Sequence, residues 1–438
     1  MKMKQLLLAA GLTAVLGCDS EGVVRPAPTD VRMFHAAPTY TALAFFREAV
    51  VESALQYGEG ASLSFDSGPY DFHLESALAG VPRRELSFSG NLSPSHNYTF
   101  VAVAPGGQPQ VLVMSTADFS SSTTAQYTVV HAHPSLAAVD VYMVAAGTPL
   151  AGVAPQGSTG FGPMPATFEV TPATYRLHLT PAGDPATVLY ESVDIDVTVG
   201  SDNVIVISDP GGLGTTSIDV TRVGGGTSRI PQLGLGSEVR VVQSVDDRLD
   251  RDLILDGDTA MPFLQMLPFG QLSGYLPVTA ETHDLVLTPV GAPGTGEANV
   301  EFAPVPGRYY TGLFAGDSSS GVAGRVFAED RRPIHEHAML RVMNGAGLFG
   351  DLEIFVEPPG TDLSTVLPQL FFGAPNISPR LAVVPGTYEV TVRNPDTLSI
   401  LAVSPPLALD EGGIYGVLML NAANNSTVDL DYFYDFPP

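Results

Sequence analysis

Two histidines spaced two apart at the end of an apolar run, with a carboxylate seven positions on, could ligate a metal or relay protons. His131, His133 and Asp140 stand this way in "YTVVHAHPSLAAVDVYM", residues 127–143. Zinc takes four protein ligands in structural sites and three plus water in catalytic ones. The stretch supplies no third or fourth ligand, so no metal is expected there. A second candidate is "VDDRLDRDLILDGD", where Asp246, Asp247, Asp250, Asp252, Asp256 and Asp258 fall within thirteen residues. Clustered carboxylate oxygens are calcium chemistry and would suit a calcium- or glycan-dependent adhesin, but the bidentate Glu that closes an EF-hand loop is missing. Asp256-Gly257 also suits a hairpin turn. In "AGDSSSG" from Ala315, Ser318 follows Gly316-Asp317, yet Ser320 occupies the place of the second glycine of G-x-S-x-G, and a turn is the better reading. "HEH" at 335–337 is not H-E-x-x-H and reads as solvated linker. A hydrolase of envelope polymers would need an acid, base and nucleophile set that does not emerge. No catalytic residue and no cofactor are expected.

The elements that would position these residues begin after a targeting segment. Lys2 and Lys4 precede the apolar stretch Leu6 to Leu16, which is too short for a membrane-spanning helix and has the layout of a secretory signal. Val15-Leu16-Gly17-Cys18 resembles the bacterial lipobox, and Cys18 is the single cysteine. The expectation is a signal over 1–17, diacylation of Cys18 (palmitate or a similar chain), and a tether over 18–30. Several acyl chains give stable attachment. The expected address is the cell envelope, at the outer membrane or the periplasmic face of the inner membrane.

Lys2 and Lys4 are the only lysines, so loss of the signal would make the formal charge of −26 more negative by two. That excludes nucleic acid, whose affinity comes largely from cationic contacts to phosphate, and disfavours a polybasic contact with anionic lipid. With 45% hydrophobic and 15% charged residues, most of the chain can bury a core.

One pattern then recurs four times. "VRMFH" from Val31, "YTVVH" from Tyr127, "VRVVQ" from Val239 and "LRVMN" from Leu340 each open a block. Nine positions after their last residues (His35, His131, Gln243 and Asn344) stand Ala44, Asp140, Asp252 and Glu353, each followed by two large apolar residues. The recurring polar position points to a hydrogen-bonding group at a strand end rather than a ligand. The carboxylate is expected to pair with the opening-strand arginine or to accept backbone N–H groups. Later come "GPYDFHL", "ATYRLHLTPAG", "ETHDLVLTPVG" and "GTYEVTV", which alternate with the period of half-buried strands. The strands "NYTFVAVA", "NVIVISD", "RYYTGLFAG" and "IYGVLML" close the blocks.

These landmarks resemble the bacterial domain of unknown function 4397. The second block is the best match, the first matches through "VRMFHAAP" and "GPYDF", and the third and fourth match in outline. The resemblance implies secreted or surface-attached immunoglobulin-like modules and brings no catalytic residue. The expected architecture is all-β: four immunoglobulin-like sandwiches in tandem over 31–115, 127–223, 239–330 and 340–436. Linkers at 116–126, 224–238 and 330–338 would let them form an extended row of more than ~100 Å, with little surface buried between modules. The expected function is a non-catalytic structural or binding module, with an envelope protein or glycan as partner.

Overall fold

A strand that is apolar on both faces needs cover on both sides, and the opening strands are of this kind. The computed structural model describes residues 28–76, 82–211, 217–224, 226–317 and 319–436, so the signal, Cys18, most of the tether and Ser318 lie outside the described residues. The chain folds into four β-sandwiches, with no α-helix among the described residues. In the first, one sheet runs Gly60–Asp66, Pro28–His35, His96–Val103, Gln110–Ala117, and the other Val50–Gln56, Ala42–Arg47, Gly68–Ser76, Arg83–Leu92. In all four modules the opening strand (Pro28–His35, Ala125–His131, Ser237–Val245 and Ala338–Asn344) lies parallel to a late strand (His96–Val103, Asp202–Ser208, Tyr309–Asp317 and Ile414–Asn421). This is the expected sandwich architecture, and in the first and third modules the first strand lies between the fourth and seventh rather than in the ABED/CFG order of antibody constant domains. One further strand follows each late strand: Gln110–Ala117, Asp219–Val223, Gly321–Glu329 and Val428–Phe436. The block-closing strand read from the sequence is therefore the last but one or, in the second module, is followed by two, since Thr227–Arg229 also pairs into that sheet.

Successive side chains of a strand point to opposite faces. Val31 and Met33 enter the core of the first module, whereas Phe34 points away from it. Phe34 joins Val101, Val103, Leu112 and Met114 of the same sheet and meets Val130, Val204, Val206 and Val223 of the second module in one buried cluster. The second module alternates likewise, with Tyr127, Val129, Ile205 and Ile207 facing its own core. Modules three and four repeat the arrangement: Val242 and Leu313 pack on Met343, Leu418 and Leu420. Each pair is thus four sheets deep, and the two inner sheets are covered on both faces.

This overturns the expected row of separated modules, and the segments read as linkers show why. Thr227–Arg229 is a strand of the second module, and Ile230 lies in its core. Between the pairs, Arg229 donates to the carbonyl of Pro306, and Leu235 packs where a Cβ on Gly307 would sit. The segment 330–337 runs over the first module. There Arg332 donates to the carbonyls of Tyr40 (3.1 Å) and Pro38 (3.3 Å), and the His335 N–H donates to Thr39 (2.9 Å). Ile334 is buried, as is His337, whose Nδ1–H donates to the His335 carbonyl at 3.0 Å. "HEH" is therefore a docked connector and not a solvated one.

Candidate functional site at the module junction

The recurring polar position holds the loop after the opening strand. His35, His131, Gln243 and Asn344 are all fully buried at the end of their module cores. His35 Nδ1, Gln243 Oε1 and Asn344 Oδ1 each accept the N–H two residues on, from Ala37, Val245 and Ala346, at 3.2, 3.1 and 3.0 Å. His131 Nε2–H and Gln243 Nε2–H each donate to the carbonyl six residues on, Ala137 at 3.1 Å and Leu249 at 3.0 Å. Burial lowers the pKa of His131, and burial together with the nearby Arg332 guanidinium brings His35 down to about 3. Both rings are neutral pins at physiological pH. His133 turns elsewhere and donates to the Ser217 carbonyl at 3.3 Å.

The recurring carboxylate is a clamp on a turn. Asp140 Oδ2 accepts the Gly183 N–H at 2.7 Å, and Asp252 Oδ2 accepts the Gly291 N–H at 3.0 Å. Those glycines end "TPAG" and "TPVG". Both take positive φ, a conformation that favours glycine. Asp140 also accepts the Ser158 hydroxyl, and Asp252 accepts the Met266 N–H. Glu353 instead pairs with Arg393 at 2.6 Å. None of the three pairs with an opening-strand arginine. Those arginines point out of their own module, and Arg32 reaches Asp202 of the second module at 2.7 Å.

The aspartate run is dispersed. Asp247 pairs with Arg251 at 2.7 Å. Asp256 takes the Asp284 N–H at 2.9 Å and the His283 ring at 2.7 Å, which outweigh burial and hold its carboxyl below the usual carboxylate range. Asp258 accepts the N–H groups of Ala260 and Met261, Asp246 donates its own N–H to Gly316, and Asp250 lies exposed. Among the described residues no three His, Cys, Asp or Glu side chains converge on a point that could hold a metal. Asp256 and Gly257 do take the positive φ of a tight turn, but the partner strand resumes only at Leu264, so they do not close a two-residue hairpin. Asp317 ends the late strand of the third module and accepts the Ser319 N–H at 2.7 Å inside the turn to Gly321–Glu329.

The densest polar chemistry lies where the modules meet. Glu329 and Asp435, on the last strands of modules three and four, have fully buried side chains between the two opening-strand arginines. Arg240 bonds Glu329 at 2.9 Å and also pairs with Asp435, while Arg341 pairs with both acids. The Tyr275 hydroxyl donates to Glu329 at 2.7 Å. Burial alone would raise the Glu329 pKa, but Arg341 and Arg240 hold the carboxyl below its ordinary range. Two cavities flank this network. One, of about 520 Å³, lies between modules two and three and is lined by Asp219, Arg229, Arg308, Tyr309 and Arg331. The other, of about 500 Å³, lies where modules one, three and four approach one another, with Arg332, Arg341 and Arg380 in its wall. Sequence reasoning passed over Glu329 and Asp435, because a charge on the outer face of a sandwich strand ordinarily marks solvent, and Arg380, because it lies between strands.

The model of the family described as a domain of unknown function, DUF4397, matches residues 29–142 and 237–355, just over half of the chain. The chain belongs to the DUF4397 family. Each DUF4397 match begins at the opening strand of a pair, covers modules one and three, and ends in the second strand of the module that follows. The matched regions thus take in the whole of modules one and three and the opening landmarks of modules two and four. No curated protein matches this DUF4397 chain. Among solved structures, the Bacillus anthracis TIE protein aligns over 92% of this chain and 69% of its own, with 10% identity and a TM-score of 0.17.

Proposed function

We propose that the protein is a cell-envelope lipoprotein, held to a membrane through acylated Cys18, whose four sandwiches form a non-catalytic binding and presentation body. The observation that supports this reading is the use made of its recurring polar residues. His35, His131, Gln243, Asn344, Asp140 and Asp252 all hold loops in place through backbone groups. Loops carried on a rigid scaffold are the usual site of recognition, because they can vary without disturbing the core. The paired modules supply that rigidity. Of the aspartates of 246–258, Asp247, Asp252 and Asp256 are bound into separate turns and ion pairs. No helix among the described residues is long and apolar enough to cross a membrane, and in this reading the membrane contact is the lipid itself. The expected partner is an envelope protein or glycan.

Labelled palmitate fed to cells expressing the full chain tests the anchor. Wild type should incorporate label and sediment with membranes, whereas Cys18→Ala should do neither. Equal labelling of the two proteins would remove the lipoprotein reading.

A further inference from the structure

We propose that the cavity where modules one, three and four meet binds an oxyanion, a carboxylate or phosphate group, through the guanidinium of Arg380. The cavity of about 500 Å³ is lined by Gln56 of the first module, Asp330 and Arg332 of the connector, and Arg341, Ser378 and Arg380 of the fourth. That volume lies within the range of small-molecule sites. Nε, Nη1 and Nη2 of Arg380 are shielded from solvent, and among the described residues none of them has a hydrogen-bond acceptor. Nε of Arg341 is in the same state. A guanidinium carries five N–H donors in a planar fork that matches the paired oxygens of a carboxylate or phosphate. Leaving such donors buried and unmatched is costly.

The neighbouring acids are already engaged. Glu329 is held by Arg240, Arg341, Tyr275 and Thr311, Asp330 is held by Arg332 at 2.6 Å, and Asp435 is ion-paired with Arg240 and Arg341, although neither of its oxygens has hydrogen-bond geometry. Three interior guanidiniums, Arg240, Arg341 and Arg380, therefore face two interior carboxylates, Glu329 and Asp435. One buried cation is in excess, inside a chain whose overall charge is −26. Burial and the Arg341 charge bring the Arg380 pKa down to about 10, with Asp330, Asp435 and Glu329 opposing the shift, so the group stays cationic at neutral pH. Ser378 sits beside it, its hydroxyl donating to the Pro379 carbonyl at 2.7 Å while accepting the Val342 N–H at 3.0 Å. The wall next to Arg380 is thereby fixed. A buried guanidinium with no hydrogen-bond acceptor of its own is open to an anion, because no existing hydrogen bond has to break when the ligand enters.

This goes beyond the anchored-body reading and does not depend on it, since loss of lipid labelling would leave it untouched. The test titrates the full chain with inorganic phosphate and, separately, with succinate, at constant ionic strength, by calorimetry and thermal unfolding. Wild type should bind one of the two saturably at one site per chain and melt at a higher temperature when loaded; the tighter of the two assigns the group. Arg380→Met should weaken binding by about 10- to 100-fold, the worth of a hydrogen bond to a charged group. Arg84→Met, at an arginine 58% exposed that does not line this cavity, should leave it unchanged. Should Arg380→Met fail to fold, spectra of chain labelled with ¹⁵N-arginine replace it: one Nε–H resonance should shift with the same saturation curve. Absence of saturable binding of either anion to wild type, full binding by Arg380→Met, or saturation with no shifted Nε–H resonance would each overturn the proposal.

Discussion

Replacing Phe34 by alanine distinguishes paired sandwiches from a row of independent ones. In a lone first module Phe34 would sit on the outer face of its sheet, and its truncation would be a surface change worth no more than about 0.5 kcal/mol. In the structure Phe34 is fully buried, and part of its shell is supplied by Val130, Val204, Val206 and Val223 of the second module. Truncating a buried Phe to Ala costs about 3–5 kcal/mol, covering lost transfer energy and the cavity left behind. The two modules span residues 28–229. For a cooperative unit of that size each kcal/mol moves the melting temperature by about 2–4 °C, so Phe34→Ala should lower it by roughly 6–20 °C. Calorimetry reads this directly, with Val51→Ala, at a valine 54% exposed, as the surface control. The first two modules should melt together in both proteins. A Phe34→Ala shift no larger than that of Val51→Ala, or a second-module transition that stays put while the first moves, would refute the pairing.

His35 supplies a pH signature. Its folded pKa of about 3 lies below the unfolded value near 6.5, so the unfolded state binds more protons between these limits. The resulting stability is full above about 6.5 and is lost as pH falls toward 3. Between pH 7 and 5 wild type should lose about 2 kcal/mol more than His35→Gln, which installs the residue of the third module; denaturant titrations giving equal slopes would contradict the buried neutral ring. Limited proteolysis of the native protein with thermolysin should cut first near Phe119, in an exposed stretch between the first two modules, and spare 330–337; early cleavage at Ile334 would mean the connector is not docked.

Much of the fold was legible because strand periodicity is a local signal. The four opening strands, the gapless spacing to Asp140, Asp252 and Glu353, and the "ATYRLHL"-type central strands all fall where the alternation puts them. The turn-clamping role of the aspartates was legible in part, since backbone acceptance by a strand-entry carboxylate follows from chemistry alone. The module contacts were not. "TVV" in the second block and "RVV" in the third carry apolar residues at adjacent positions, the mark of a strand covered on both faces. Arg32, Arg240 and Arg341 masked that mark, because an arginine on the outward face looks like a solvent face. Asp202 stands 170 residues from Arg32 and Glu329 stands 89 from Arg240, and no local pattern links positions so far apart; Arg341 and Glu329 are only 12 apart, but on strands of different modules.

The same contacts make the pair of modules, rather than the single sandwich, the unit that can stand alone. A first module without its neighbour would expose Phe34, Val101, Val103, Leu112 and Met114 on one sheet face, a contiguous apolar patch of the kind that soluble monomers rarely leave uncovered. The third module would expose Val242 and Leu313 and leave Arg240 without Asp435. The two interfaces are also not interchangeable. The first has Arg32 on Asp202, with Gln126 and Asn97 completing the acid's shell, whereas the second buries two arginines with two acids and adds the more exposed pair Arg248–Asp429. Pairing modules one and four would set Arg32 and Arg341 face to face with Asp435 and without Glu329, whereas modules two and three would share Arg240 between Asp202 and Glu329. Charge complementarity of this kind selects partners by penalising the wrong ones. The observed pairs, one with two and three with four, are those in which the buried charges balance, one arginine on one acid and two on two, and the connector carrying Asp330 and Arg332 lies at the junction with the cavity.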